Sequence, residues 1–367
     1  MARVRPTRKI TLSGGGPLRK DLVRQVDAYI AQTGVMERAR RQLHVKTAII
    51  GIWFIGAYVL LLAFARTWWL AIPLALNLLL PSVAAVFCIM HDGNHQAFSR
   101  NRLVNRIAGL TMEVMGGSSH IWDVKHNKAH HPTPNVDFLD DDIEQMPFIR
   151  LSSTQEWKHW HRFQRWYIWL GYSLVLLRWQ IYGDIAAGLR GHIGQHKVEM
   201  NPRRWLEMIG GKLFHVGWAI GLPMIWYSWQ SVLELYAGVL LTAGMVVTVV
   251  SQYAHCNDET KFTSPDLADQ NGKLPISWAE LQILATADFC PNNRLISWYV
   301  GGLNFQVIHH LFQHHPHTLY HEIAKIVERV CREHDVPYTC YPSLWAVTKA
   351  HQRHITAMGR KPQPVPA

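Results

Sequence analysis

Four long stretches almost free of charge constrain this chain more than any other feature. Ile49–Ala65 carries no charged residue and neither does Trp68–Met90, with only Arg66 and Thr67 between them. Leu213–Trp229 and Val232–Ala254 make a second pair, in which Glu234 is the single charge. At 1.5 Å of rise per residue, each stretch crosses most or all of a ~30 Å hydrocarbon core. A soluble domain distributes its apolar residues by periodicity, whereas these come in blocks. The expectation is an all-α integral membrane protein: four transmembrane helices in two hairpins, with a helical cytosolic cap holding a His-rich dimetal site.

Charge sets the expected orientation. The first 47 residues hold eleven Lys and Arg, while the two hairpin tips hold Arg66 alone. The positive-inside rule then puts both termini and the long loops in the cytosol. The basic N-terminus is followed by polar sequence, so no cleavable signal peptide is expected. The five cysteines (Cys88, Cys256, Cys290, Cys331, Cys340) are odd in number and form no C-x-x-C pair, which fits free thiols in a reducing compartment. A net charge of +11 suits an anionic membrane surface or an acidic partner. No nucleic-acid role is expected, because the spans follow the basic segment at once.

Residues 1–47 read as a basic, mobile tail (Met1–Leu18) followed by an amphipathic helix over Arg19–Lys46, with Leu22, Val23, Val26, Tyr29 and Ile30 at helical spacing. Residues 48–345 form the membrane domain and 346–367 a polar C-terminal tail. Within the domain, Arg102–Met115 predicts an interfacial helix broken by Gly116-Gly117. Trp157–Ile181 predicts an aromatic helix at the interface, with a fifth span as the alternative, Pro265–Pro291 a turn-rich connection, and Glu322–His334 an amphipathic helix.

Histidine marks the chemistry. H-D-G-N-H supplies His91 and His95, and H-N-K-A-H-H supplies His126, His130 and His131. G-G-L-N-F-Q-V-I-H-H supplies Gln306, His309 and His310, and His255 ends the fourth stretch. Residues four apart share a helical face, so His91 pairs with His95 and His126 with His130; His131, ~100° further round, is free for a second ion. Eight imidazoles without thiolate suit iron, copper, nickel or zinc and argue against an iron–sulfur cluster. The soluble diiron pattern needs two Glu-x-x-His motifs, and only Glu156–His159 is present. Ligating histidines pass their other N–H to a carboxylate or carbonyl, for which Asp92, Asp141, Asp142 and Asn304 are the candidates. His310, His314 and His315 repeat the H-x-x-x-H-H spacing, which leaves the third cluster's register open. His120, His314, His315 and His317 are placed near the metals or at headgroups. His159, His161, His192, His196, His334, His351 and His354 are read as surface residues.

H-x-x-x-H, H-x-x-x-H-H and Q-x-x-H-H, in that order around two apolar pairs, resemble the membrane fatty-acid desaturases. The Q-x-x-H-H form and G-G-S-S-H-I-W before the second cluster are similar to the front-end and bacterial linoleoyl-CoA branch. The resemblance covers roughly Asp21 to Ser343. It implies two iron ions, with dioxygen as co-substrate, held by His91, His95, His126, His130, His131, His255, His309 and His310. Gln306 stands where many relatives have histidine, so it binds iron directly, binds through water, or positions a neighbour. Ser251 stands where stearoyl-CoA relatives have Asn, which counts against a water-mediated ligand there. The implied reaction is oxygen-dependent desaturation of a long acyl chain borne by CoA, acyl carrier protein or lipid. With no room for a haem module before the first span, electrons are expected from a separate carrier, a ferredoxin or a free cytochrome with its reductase. An acetylenase or hydroxylase outcome uses the same ligands. A zinc-binding or transport protein would place its ligands near the bilayer midplane; here only His215 lies within a span.

Overall fold

The computed structural model describes residues 10–362 and is dominated by helices. α1 (Pro17–Thr33) ends at Gly34, whose φ of +59° turns the chain into α2 (Val35–Phe64). The expected single amphipathic helix over Arg19–Lys46 is therefore two, because the left-handed conformation that glycine accepts easily closes the first. α1 lies on the cap: its Leu22 and Val26 are buried with Ile323, Val327 and Val330. α2 and α3 (Trp68–Asn94) follow one another after a three-residue turn. α4 (Gln164–Arg178) follows a short 3-10 turn, His159–Phe163. α5 (Pro202–Ile225) and α6 (Trp229–His255) complete the set of long apolar helices, so α2, α3, α5 and α6 are each long and apolar enough to cross a membrane. The third starts and ends earlier than its 213–229 span, since Asn201 caps it through Arg204 N and the chain leaves the helix before Trp229.

α4 packs along α6, where Gly244 has no room for a side chain: a Cβ would sit 2.4 Å from Ser173 O. The single helix expected over Arg102–Met115 is two short ones, Arg102–Gly109 and Thr111–Val114, with Leu103 and Ile107 exposed. α7 (Gln306–Leu311), α8 (Tyr320–Glu333) and α9 (Leu344–Gly359) complete the cap.

Two expected tails are structured. Thr11–Ser13 pairs in parallel with Lys273–Ser277, so of the supposed mobile tail only residues 1–9 lie outside the described residues. α9 replaces the polar C-terminal tail, burying Val347, Ala350, His351, His354 and Ile355 on one face. His351 and His354 are thus core residues: His351 meets Tyr172 Oη (3.0 Å) and Cys256 O, while His354 meets Leu151 O. His161 is likewise buried, between Lys158 N and Pro147 O. Histidine at core spacing reads as polar in a residue pattern, which hides the helix. The turn-rich connection also holds a helix, Trp278–Leu284, opened by a Ser277/Glu280 capping box.

Candidate metal centre

The histidines converge from four directions: the end of α3, the segment after it, the end of α6, and α7. Immediately before His91 the helix widens into a π turn (Val86–Met90), and a longer π segment, Asp123–His130, carries the second cluster. Such turns recur at functional sites because they re-aim side chains within a helix. Here the re-aiming changes the expected pairing. His131 N bonds His126 O, five residues back, and His131 Nε2 lies 3.0 Å from His126 Nε2. Ring nitrogens of His91, His95, His126 and His309 form one group, and those of His130, His255 and His310 another. His131 stands between them, sharing a further group with His309 and His310. His126 and His130 therefore part company, and His131 bridges, because the π register replaces the four-residue repeat.

These groups fit metal ions. His95 has neither ring nitrogen hydrogen-bonded, and His131 Nδ1 and His310 Nε2 are also buried without a protein partner. Buried polar atoms seldom remain unpaired, and unpaired imidazole nitrogens facing one another have the chemistry of ligands. Burial, reinforced by the neighbouring imidazoles, holds His95, His126, His131, His309 and His310 well below the usual histidine range. Each is neutral at physiological pH, the form that binds metal.

The partners behind the rings overlap with the expected set only in part. Asp140 holds His130 Nδ1 at 3.0 Å and also accepts the N–H groups of Asn135 and Asp142. Burial opposes a charge on His130, yet this carboxylate raises its pKa. Gln282 Oε1 lies 2.8 Å from His310 Nδ1, and Tyr320 Oη 3.3 Å from His309 Nδ1. Of the expected partners, Asp142 stays 3.7 Å from His130 and pairs at 2.7 Å with Lys125, which also takes Asp141. Asp92 binds the N–H and Nδ1 of His317, whose Nε2 accepts from Lys46 at 2.8 Å, and lies 4.0 Å from His91. Asn304 braces a loop instead, donating to Phe289 O and Ser297 Oγ. Asp140 carries a sequence signal, its place in the Asp140–Asp142 run, whereas Gln282 carries none.

Gln306 is buried with its amide 3.0 Å from His255 Nε2. His309 and His310 belong to the groups; His314 bonds His95 O, and His315 packs on Phe312. Asp288 caps α7 through Val307 N. His120 binds Glu199 O, away from the rings. His215 binds Val114 O and Tyr236 Oη.

A cavity of 510 Å³ runs from His91, His126 and Gln306 between the apolar helices to Thr67 and Tyr227 near their far ends. Ala75, Val83 and Leu240 are among its many apolar lining residues, and Ser251 also faces it. Such a space takes a long flexible apolar molecule.

A membrane-helix protein that brings two adjoining histidine clusters to the end of an apolar cavity belongs to the class of membrane oxidoreductases built for acyl chains. The fatty acid desaturase family model matches residues 66–342, and the chain belongs to that family. It is similar to the sn-1 linoleoyl-lipid 6-desaturase of Synechocystis sp., 34% identical over 345 residues, which cover 93% of this chain and 95% of the relative. The enzyme of the same name from Arthrospira platensis is 32% identical over 97% of this chain and 96% of its own. An acyl-lipid (8-3)-desaturase of Physcomitrium patens is 34% identical over 74% of this chain and 57% of its own. The chain is a fatty acid desaturase, an oxidoreductase.

Proposed function

We propose that the chain is a histidine-ligated diiron, front-end desaturase that inserts a double bond into an already unsaturated acyl chain of a membrane lipid. The observation that carries this reading is the meeting of two thiolate-free histidine groups with the end of one long apolar cavity. The acyl-lipid relatives support a lipid-borne substrate. His91, His95, His126 and His309 would hold one iron, and His130, His255 and His310 the other, with His131 between them. A bound iron pair with dioxygen supplies an oxidant strong enough to take hydrogen from an unactivated methylene. Asp140, Gln282 and Tyr320 hold Nδ1 of His130, His310 and His309, which leaves each Nε2 turned inward as the ligand atom. Gln306 positions His255 through its amide. The cavity walls keep the chain extended and dry, so the methylene beside His91 and His126 is presented in a fixed pose.

The basic N-terminal segment supports a cytosolic metal site and termini by the positive-inside rule. Electrons would come from a separate carrier, a ferredoxin or a free cytochrome with its reductase; net charge +11 would steer an acidic one inward. The test is the fatty-acid profile, by mass spectrometry, of cells supplied with linoleate and expressing this chain or its His309→Ala variant. A new product lighter by two hydrogens, absent with the variant, is expected, and fragmentation locates the bond. Loss of four hydrogens, or gain of one oxygen, would overturn the desaturase outcome in favour of an acetylenase or hydroxylase.

A further inference from the structure

A second cavity, of 460 Å³, lies at the start of α4 and is unlike the first. Arg162, Arg165, Arg360 and Lys361 line it together with Trp157 and His161. No acidic side chain pairs with any of these four cations among the described residues. Glu156, the carboxylate that acts on His161, is tied to Lys158 at 2.5 Å. Two backbone carbonyls of the adjoining stretch are already bonded: Arg150 donates to Met358 O at 2.7 Å, and Trp157 to Gly359 O at 2.9 Å.

The surface leading away from this cavity is apolar. Phe163, at the end of the 3-10 turn, and Trp166, Leu170 and Leu174 of α4 follow one another at helical spacing and are 51%, 67%, 62% and 41% exposed. Arg162 lies over the Phe163 ring at 4.6 Å and Arg165 over Trp166 at 4.7 Å, so charge and stripe are joined. Leu176 near the end of α4, and Trp179 and Gln180 in the π segment that continues it (Trp179–Gly183), line the acyl cavity instead. The stripe and basic cavity are therefore separate from the metal centre.

We infer that this cavity binds the phosphate of an anionic glycerophospholipid, whose acyl chains lie along Phe163, Trp166, Leu170 and Leu174. Guanidinium groups match a phosphodiester in a two-pronged contact that free water does not offer. The apolar stripe selects a lipid over a soluble phosphate, and the uncompensated cations select an anionic lipid over a zwitterionic one. The site would hold α4, and with it one wall of the acyl cavity, against the bilayer.

Native mass spectrometry of the full chain, released from nanodiscs of equal phosphatidylglycerol and phosphatidylcholine with identical acyl chains, counts the lipids retained. Wild type is expected to keep phosphatidylglycerol preferentially. Arg162→Gln/Arg165→Gln should weaken that retention about fivefold per cation removed, while Arg24→Gln on α1 leaves it unchanged. All three positions are exposed, so folding is not at risk. Trp166→Ser/Leu170→Ser should weaken retention of both lipids. Equal retention by wild type and the double arginine variant would overturn the inference. So would a thermal shift given by inorganic phosphate as large as that given by phosphatidylglycerol, which would mark a soluble-anion site. Unaltered lipid retention with slower carrier-driven turnover would make the patch a protein docking surface and overturn it too.

Discussion

Replacing Asp140 with asparagine tests the metal centre without touching a proposed ligand. The native carboxylate accepts three hydrogen bonds, from His130 Nδ1 at 3.0 Å and from the N–H groups of Asn135 (2.8 Å) and Asp142 (2.9 Å). Asparagine keeps one accepting oxygen but turns an NH2 toward one former donor. The loop loses one or two hydrogen bonds to a charged acceptor, each worth roughly 1.5–3 kcal/mol. His130 loses the anion that fixes its Nδ1–H tautomer, and replacing such a partner lowers metal affinity about 10–100-fold, or roughly 1.4–2.8 kcal/mol. The assay is iron per chain by plasma mass spectrometry after dialysis against graded chelator, with circular dichroism to confirm helix content. The midpoint of iron loss should move to 10–100-fold lower chelator while helicity is kept. Asn304→Ala is the control: its side chain binds Phe289 O and Ser297 Oγ, so it should cost stability but leave the chelator midpoint in place. An Asp140→Asn protein that holds iron as tightly as wild type would refute the assignment of His130 to the centre.

Gln282→Leu removes the acceptor 2.8 Å from His310 Nδ1 and should likewise cost about 10–100-fold in iron retention, read by the same chelator titration. Gly93→Ala places a Cβ 2.5 Å from Gly109 N and 2.8 Å from Ala108, inside the H-D-G-N-H turn; a loss of about 1–3 kcal/mol in denaturant unfolding is expected. Burial raises the Asp288 carboxyl to about 7, so the folded chain binds a proton that the unfolded chain has released by pH 5. Its contribution is full below the ordinary Asp value near pH 4 and is lost as pH rises to 7, at about 1.4 kcal/mol per pH unit; Asp288→Asn should flatten this slope in pH-dependent unfolding. Ala75→Phe fills part of the acyl cavity and should shift products toward shorter chains, or abolish them, in the fatty-acid profile while iron content is unchanged.

Much of this protein is local information. Apolar runs long enough for a bilayer, and histidines three to five residues apart, are properties of single helices and can be read from a line of residues. That is why the four long helices and the eight convergent histidines are legible in the residue order itself. Their termini are less so: Gly34 and Asn201 decide where helices stop and start through one dihedral angle and one cap. What tertiary structure alone decides is pairing at a distance. The division of the rings depends on a π segment whose widened turn no residue pattern announces, which parts His130 from His126 and sets His131 between the two groups. Gln282 reaches His310 across 28 residues, and Lys46 reaches His317 across 271. The buried setting of His351 depends on Tyr172 of α4 and Tyr253 of α6, and that of His354 on Leu151 and Phe262, all far away in sequence. A hydrogen bond has reach only in space, so each such partner is settled by how the helices pack rather than by its neighbours in the chain.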